Sequence, residues 1–150
     1  MDVLKRNNVT VSGAGPQAMV FVHGFGCNQH MWRLVAPAFE DRYRVVLLDL
    51  VGAGKSDLTA YDPARYSVLE AHAEDVQDVL RALDLRDAVL VGHSVGAMVA
   101  VLAAIAEPAR VAKVVLVTGV SGATLICTRI WPAFCVSKSI ASTLPTSRPR

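Results

Sequence analysis

Apolar residues are arranged along this chain in short uniform runs separated by segments with other periods. Four runs are apolar throughout, which is typical of strands buried on both faces of a sheet: residues 19–22, 45–48, 89–91 and 114–117. Residues 8–12 (NVTVS) alternate between polar and apolar side chains, and turn-forming residues follow at 13–16. The pattern therefore predicts an edge strand and four buried strands.

A helical period follows the second of these apolar runs. From Leu69 to Leu83, apolar residues recur at spacings of four and three, which is the pattern of an amphipathic helix. Ser67 and Glu70 stand at the spacing of a capping box, in which each side chain bonds a backbone N–H at the start of a helix. We therefore predict a helix that Ser67 and Glu70 cap.

Residues 88–106 are nearly uncharged and about as long as a segment that crosses a bilayer. Polar and glycine residues interrupt this segment at 92–96, with β-branched residues before them and alanines after them. This arrangement predicts a buried strand followed by a helix over 95–106, which ends before Pro108, instead of a membrane span.

Residues 29–39 predict a further helix, broken or bent near Pro37. Uniformly apolar strands that alternate with helices indicate a parallel sheet covered on both faces. The predicted fold class is therefore α/β, with a mostly parallel sheet and helices on both faces.

Residues 92–96 (GHSVG) lie between a predicted strand and a predicted helix. This is the pattern G-x-S-x-G in the context that a nucleophilic serine requires. The turn presents Ser94 above the sheet, and the flanking positions are glycine because a Cβ there would strike the strand or the helix. The N-terminal end of the helix favours negative charge beside the serine. We predict that Ser94 is a catalytic nucleophile.

A nucleophilic serine also needs backbone donors for the oxygen that becomes negatively charged. Residues 23–26 (HGFG) follow the strand at 19–22, where a loop can aim a backbone N–H at that oxygen. We assign the predicted oxyanion hole to the amides of Val95 and Phe25. Cys27, beside this loop, is predicted to line a pocket.

We predict that none of the four histidines is the catalytic base and that each is either structural or solvated. His23 adjoins the oxyanion strand and His93 adjoins the serine, so neither points at the hydroxyl as a base must. Both are predicted to be structural. His30 and His72 lie on helix surfaces by pattern, which predicts solvated side chains.

Two other features receive structural interpretations. GAGKS at 52–56 lacks the spacing of a phosphate-binding loop, so a tight turn is predicted there, with Ser56 or Asp57 capping the next segment. Trp32 and Phe39 are predicted to belong to the core.

Composition limits the class of protein further. At 150 residues and 53% hydrophobic, the chain is long enough for one globular domain. All thirteen acidic residues lie at or before Glu107 with nine basic ones, and six basic residues and no acidic ones follow. Because no basic stripe with interleaved aromatic residues occurs in the sequence, we expect no nucleic-acid partner.

Cysteine usage and the N-terminus indicate the compartment. The three cysteines are an odd number without a CxxC pair, which argues against a disulfide framework and a structural zinc site. The first residues, MDVLKRNN, have no apolar region of a secretory signal. We expect a cytoplasmic protein with no cofactor and no metal.

Four blocks of sequence resemble the α/β-hydrolase superfamily: HGFGCNQHMW at 23–32, DLVGAGKSD at 49–57, YDPARYS at 61–67 and VGHSVGAM at 91–98. More narrowly, they resemble the bacterial stress-sigma-factor regulators of the Q type and the plant strigolactone and karrikin receptors. The resemblance runs from about residue 7 to about residue 117. It implies a Ser-Asp-His triad, an oxyanion hole and a helical cap over a hydrophobic pocket. It supports Ser94 as the nucleophile, with Val95 and Phe25 as amide donors.

The later members of such a triad are missing from this sequence. The superfamily order is serine, acid, histidine, yet Glu107 is the only acidic residue after Ser94 and no histidine follows it. At 1.5 Å per helical residue, Glu107 stands about 18 Å along the axis from the serine. We therefore expect the triad to be incomplete and this chain alone to be inactive.

Residues 1–118 are interpreted as the N-terminal part of a hydrolase domain, a partial fold without the cap and the C-terminal strands. Residues 119–150 are rich in Ser, Thr, Arg and Pro, and they show no sustained period. This tail is predicted to be disordered or read in a shifted frame; the alternative is a natural short variant with a disordered basic tail.

Three functions remain open at this point. The first is a serine hydrolase that acts on a small hydrophobic ester-like substrate. The second is a signalling or stress-response regulator or receptor, which uses the hydrolase fold to bind a small molecule and a protein partner. The third is a truncated remnant with neither activity. No membrane partner is expected for any of them.

Overall fold

The structure, a computed structural model, describes residues 2–117, 124–128 and 136–137. The strands, numbered in chain order, are β1 (Thr10–Ser12), β2 (Gln17–Val22), β3 (Tyr43–Leu47), β4 (Ala88–His93), β5 (Val111–Val117), β6 (Thr124–Thr128) and β7 (Val136–Ser137). The α-helices are α1 (Val3–Arg6), α2 (Leu69–Ala82) and α3 (Val95–Ala106). Four short 3-10 helices cover Gln29–Trp32, Ala36–Phe39, Leu58–Ala60 and Arg65–Ser67.

The strands form one sheet in the order β1-β3-β2-β4-β5-β6-β7. Strands β3, β2, β4 and β5 are parallel to one another, and β1, β6 and β7 join antiparallel. The four parallel strands contain the four uniformly apolar runs, except that Leu48 lies one residue after the end of β3. The prediction of a parallel α/β core is confirmed. The pattern was informative because a strand that is covered on both faces has no solvent-exposed face and therefore carries apolar side chains throughout.

The two faces of the sheet are covered differently. On one face, side chains such as Val20, Val46 and Leu90 join α2 and α3 in the larger core cluster. On the other face, Phe21 and its neighbours pack against Trp32, and Phe39 packs against the same cluster. Trp32 and Phe39 therefore belong to the core, as predicted. On this second face the described residues supply 3-10 helices instead of α-helices.

The order of the strands creates a crevice above the middle of the sheet. After β2 the chain adds β3 on one side, and it then returns to add β4 on the other side of β2. In open α/β sheets such a switch leaves a cleft at the carboxyl ends of the two strands concerned, and ligands bind there. The loop after β2 and the turn after β4 meet at this place.

Two predicted elements differ in the structure. The segment 29–39 forms two separate 3-10 helices, with Pro37 near the start of the second. The capping box is wrong: Val68 is the N-cap of α2 and no side chain caps the helix. The Ser67 hydroxyl instead donates to the carbonyl of Ala64 at 2.8 Å, because residues 65–67 turn into a 3-10 helix of their own.

Within the described ranges, no helix is both long and apolar enough to cross a bilayer. The uncharged segment 88–106 is β4 followed by the twelve-residue helix α3, as predicted. Strands β6 and β7 lie inside the predicted tail, and the rest of residues 119–150 lies outside the described residues. The origin of the tail and the boundary at 118 stay predictions.

Candidate active site

Ser94 joins β4 to α3 in a strained backbone conformation. Its φ is 53° and its ψ is −121°, a combination that side-chain-bearing residues rarely adopt. Such strain persists only where the surrounding structure imposes it, and it is concentrated at functional sites. The side chain is exposed at the top of the sheet. The sequence prediction of a sharp strand-to-helix turn at this serine agrees with this geometry.

The glycines on either side of Ser94 make the turn possible. A Cβ at Gly92 would lie 2.5 Å from the Cα of Ala97, inside the first turn of α3. A Cβ at Gly96 would lie 2.5 Å from the carbonyl oxygen of Val22, at the end of β2. Both neighbours are backbone atoms, so the positions exclude any side chain.

Backbone hydrogen bonds hold the turn on both sides of Ser94. Its N–H donates to the carbonyl of Val117 at 3.0 Å, which ties it to the end of β5. Its own carbonyl accepts from the N–H of Ala97 at 2.9 Å and so begins α3. The serine is therefore fixed by two elements besides its own strand.

The loop after β2 lies directly against the serine. A Cβ at Gly24 would be 3.2 Å from the Cβ of Ser94 and 2.7 Å from the Nδ1 of His93. This contact requires a glycine and places the Gly24–Phe25 peptide beside the hydroxyl. Among the backbone hydrogen bonds of the described residues, none has the N–H of Phe25 or Val95 as its donor. The assignment of these two N–H groups to an oxyanion hole stays a prediction.

The carbonyl of Gly24 is held from two directions. The Nδ1 of His23 lies 2.8 Å from it, and the N–H of Cys27 donates to it at 3.2 Å. His23 is 1% exposed, and its Nε2 accepts from the N–H of Leu50 at 3.0 Å, which leaves the ring hydrogen on Nδ1. In a trans peptide the C=O and the next N–H point in opposite directions. Fixing the Gly24 oxygen therefore fixes the direction of the Phe25 N–H.

A buried carboxylate connects the loops around the site. Asp49 accepts hydrogen bonds from the backbone N–H of Gln29 at 2.7 Å, from that of Lys55 at 2.8 Å and from the side chain of Asn8 at 2.8 Å. Burial by itself raises the pKa of Asp49, but these hydrogen bonds outweigh it and lower the pKa below 3.8. The sequence suggested no role for Asp49, because no motif or period around residue 49 shows that its carboxylate accepts hydrogen bonds from several segments.

Residues 23–26, which carry the predicted oxyanion-hole donor Phe25, are called the oxyanion loop below. A cavity of about 880 Å³ opens beside this loop. Phe25, Cys27 and Val95 line it, together with residues of the segments 50–54 and 58–72. The lining by Cys27 confirms the prediction for this residue. His72 also lines the cavity, its Nδ1 is buried, and its ring centroid lies 4.9 Å from that of Tyr66. The prediction that His72 is solvated is wrong, because residues 61–67 fold back over the first turn of α2.

Other predicted roles fall outside the reacting centre. His30 is exposed, as predicted. Asp57 caps the 3-10 helix Leu58–Ala60 by accepting from the N–H of Thr59 at 3.0 Å, which confirms the cap predicted for the segment after residues 52–56. Glu107 pairs with Arg81 at the far end of α3 and does not approach the serine. The part of the chain that the structure describes contains no group of three His, Cys, Asp or Glu residues that could hold a metal ion.

The sheet order, the strained serine and the glycine loop together have the form of one known fold. The family model described as alpha/beta hydrolase fold matches residues 17–133. The chain belongs to this family.

Similar proteins include plant receptors and bacterial hydrolases. The chain is 40% identical over 116 residues to the karrikin insensitive 2 receptor CA of Petunia hybrida, covering 77% of this chain and 43% of that protein. It is 37% identical over 116 residues to a strigolactone esterase of Arabidopsis thaliana, with the same coverage. The structure of a hydrolase from Oleispira antarctica matches with a TM-score of 0.75 and 41% identity, covering 77% of this chain and 42% of that one. The chain thus spans about two fifths of the length of these relatives.

Proposed function

We propose that Ser94 is the nucleophile of an acyl-transfer site whose oxyanion hole consists of the N–H groups of Val95 and Phe25. The observation that carries this proposal is the positive φ of Ser94 between Gly92 and Gly96, with Gly24 against its side chain. A strained, exposed hydroxyl beside two unused N–H groups is the arrangement that acyl transfer requires.

The proposed substrate is a small hydrophobic ester or a similar acyl compound. The Ser94 oxygen attacks the acyl carbon, and the negative charge moves to the carbonyl oxygen, which the two N–H groups bind. Each such donor stabilises the transition state by about 3–4 kcal/mol. The serine proton passes to solvent, the alcohol leaves with a proton taken from solvent, and water then releases the acid from the serine.

A serine-directed fluorophosphonate tests the nucleophile. We expect the folded chain to form one adduct at Ser94, identified by peptide mass spectrometry, and Ser94→Ala to form none. Ser67→Ala is the matched control, because Ser67 is, like Ser94, an exposed serine. An adduct that persists in Ser94→Ala, or no adduct on the wild-type chain after exhaustive exposure, contradicts the proposal.

A second function is a regulator or receptor that keeps the fold to bind a small molecule and then a protein partner, as in signalling or sigma-factor regulation. The observation that favours it is the likeness to proteins named as karrikin receptors. Repeated turnover of a p-nitrophenyl ester supports the enzyme. Ligand-dependent binding of a purified partner without turnover supports the regulator. For either function we propose a cytoplasmic location, on the basis of the cysteine pattern.

A further inference from the structure

The cavity beside the oxyanion loop has an aromatic wall that the proposed reaction does not use. The wall consists of Tyr61, Tyr66 and His72, which all line the cavity. The rings of Tyr61 and Tyr66 are stacked, with centroids 5.4 Å apart and planes within 9°. The ring of His72 continues the wall at 4.9 Å from Tyr66, tilted by 38°. Three rings thus form one surface in the same cavity as the N-terminus of α3.

The middle ring of the wall is held in place from behind. The Tyr66 hydroxyl donates to the buried carboxylate of Asp75 at 2.9 Å. That carboxylate also pairs with Arg65 at 3.0 Å and with Arg6 at 3.1 Å. Burial and the Asp75 hydrogen bond raise the pKa of Tyr66 to about 12, so the phenol remains a donor at neutral pH. The wall is therefore a preformed surface.

His72 has hydrogen-bonding capacity that the described residues do not satisfy. Its Nδ1 is buried without a hydrogen-bond partner among them, although buried polar atoms are usually paired. Burial lowers the pKa of His72, and the positive charge of Arg65 lowers it further. The ring is therefore neutral near pH 7 and offers one donor and one acceptor.

The charge of the cavity lining limits its ligand. Among the described residues, no Asp, Glu, Lys or Arg side chain lines this cavity. A carboxylate or phosphate held against the aromatic wall would lose water with no described basic side chain beside it to offset the loss, which is costly. An uncharged ligand with a flat hydrophobic part and a polar atom fits these conditions.

We infer that Tyr61, Tyr66 and His72 form a specificity subsite, which binds an uncharged aromatic ring that carries a carbonyl or ether oxygen. The ring stacks on the tyrosines, of which Tyr61 is 45% exposed. His72 forms a hydrogen bond with the oxygen. The inference rests on the proposed function in taking this cavity as the binding site, and it adds which part of the ligand the cavity selects.

Three probes that share a naphthalene ring test the subsite by equilibrium dialysis with the full chain. The probe 2-acetylnaphthalene carries the carbonyl, 2-ethylnaphthalene lacks it, and 2-naphthoate is charged. None of them reacts with a serine, so the test does not depend on catalysis. We expect 2-acetylnaphthalene to bind about fivefold to tenfold more tightly than 2-ethylnaphthalene, as one net hydrogen bond gives. We expect 2-naphthoate to bind more weakly than either.

Variants assign this preference to the wall. His72→Phe keeps the aromatic surface and is expected to equalise the two neutral probes by weakening 2-acetylnaphthalene alone. His72→Gln keeps a polar group and retains part of the preference. Tyr61→Leu weakens both neutral probes by the same factor. His30→Phe is the matched control, because His30 is exposed and outside this cavity, and it leaves all affinities unchanged.

The inference is overturned if the folded wild-type chain binds no neutral probe, if 2-naphthoate binds as tightly as 2-acetylnaphthalene, or if His72→Phe keeps the preference. Circular dichroism establishes that each variant is folded. If His72→Phe does not fold, His72→Gln and Tyr61→Leu decide the outcome. If Ser94 is labelled and His72→Phe still binds 2-acetylnaphthalene more tightly than 2-ethylnaphthalene, only the subsite is contradicted. If His72→Phe loses this preference and Ser94 of the wild-type chain is not labelled, only the proposed reaction is contradicted.

Discussion

The Nδ1 of His23 donates its hydrogen to the carbonyl oxygen of Gly24 at 2.8 Å. Since the Nε2 of the same ring accepts from the N–H of Leu50, this buried imidazole links the oxyanion loop to the loop after β3. Its effect on the proposed chemistry is indirect: it orients a peptide whose other end carries the Phe25 N–H.

Replacing this imidazole is expected to lower the stability of the fold and to disturb the proposed oxyanion hole. His23→Leu leaves the Leu50 N–H without its side-chain partner and the Gly24 carbonyl with only its bond from the Cys27 N–H. A buried unpaired group costs about 1–3 kcal/mol, and the weakened carbonyl adds to this. We expect the free energy of unfolding, measured in urea, to fall by about 2–4 kcal/mol. Ser94 labelling should slow under conditions where circular dichroism shows a folded chain.

The control for this change is His30→Leu, because His30 is exposed. We expect its free energy of unfolding to change by no more than about 0.5 kcal/mol. If folded His23→Leu labels at the wild-type rate, His23 does not orient the Phe25 N–H.

A methyl group at Gly96 is expected to disrupt the turn that holds Ser94. In Gly96→Ala the new Cβ would lie 2.5 Å from the carbonyl oxygen of Val22, and backbone cannot move aside cheaply. We expect a loss of about 3 kcal/mol in the free energy of unfolding, at the upper end for overpacking. Gly26→Ala is the control, because its Cβ would meet nothing within 4 Å and only its positive φ costs about 1 kcal/mol. Equal losses in the two variants would mean that the contact with β2 is not the cause.

The three hydrogen bonds to Asp49 make its contribution to stability dependent on pH. The pKa of Asp49 is lowered in the folded chain, so its stabilisation is present above the unfolded value near 3.8 and is lost as pH falls through the lower, folded value. We expect Asp49→Asn to reduce the free energy of unfolding by about 2 kcal/mol at pH 7, and by less at pH 3.

The matched control is Asp41→Asn, because Asp41 is an exposed carboxylate in the same part of the chain. It should change the free energy of unfolding little at either pH. A wild-type advantage over Asp49→Asn that is the same at pH 3 and pH 7 would show that the charge of Asp49 is not what the three donors stabilise.

The sequence predicted those helices and strands whose hydrophobic pattern depends only on which side chains of the segment itself are buried. The limits of α3 at residues 95 and 106 agree with the structure, and the four apolar runs lie in β2, β3, β4 and β5 apart from Leu48, which follows β3. The glycine spacing around Ser94 was equally readable, since each glycine is required by a contact within the turn or with the adjacent strand.

The features that the sequence did not predict depend on contacts between distant segments. Asp49 bonds residues from three loops, and no local period reports such a role. His72 has the helical position of a surface residue, but the segment before α2 covers it with Tyr66. Ser67 fitted a capping box, yet the preceding 3-10 helix offered its hydroxyl a closer acceptor in Ala64.

The bond from the Ser94 N–H to the Val117 carbonyl sets an order of events during synthesis on the ribosome. Residue 94 emerges well before residue 117, so the strand that anchors the serine does not yet exist when the serine appears. Until β5 has paired with β4, nothing on that side opposes relaxation of residue 94 to an unstrained φ. The strained geometry therefore gains its last support late, and a nascent chain that has stopped short of the fifth strand holds residue 94 from the α3 side alone.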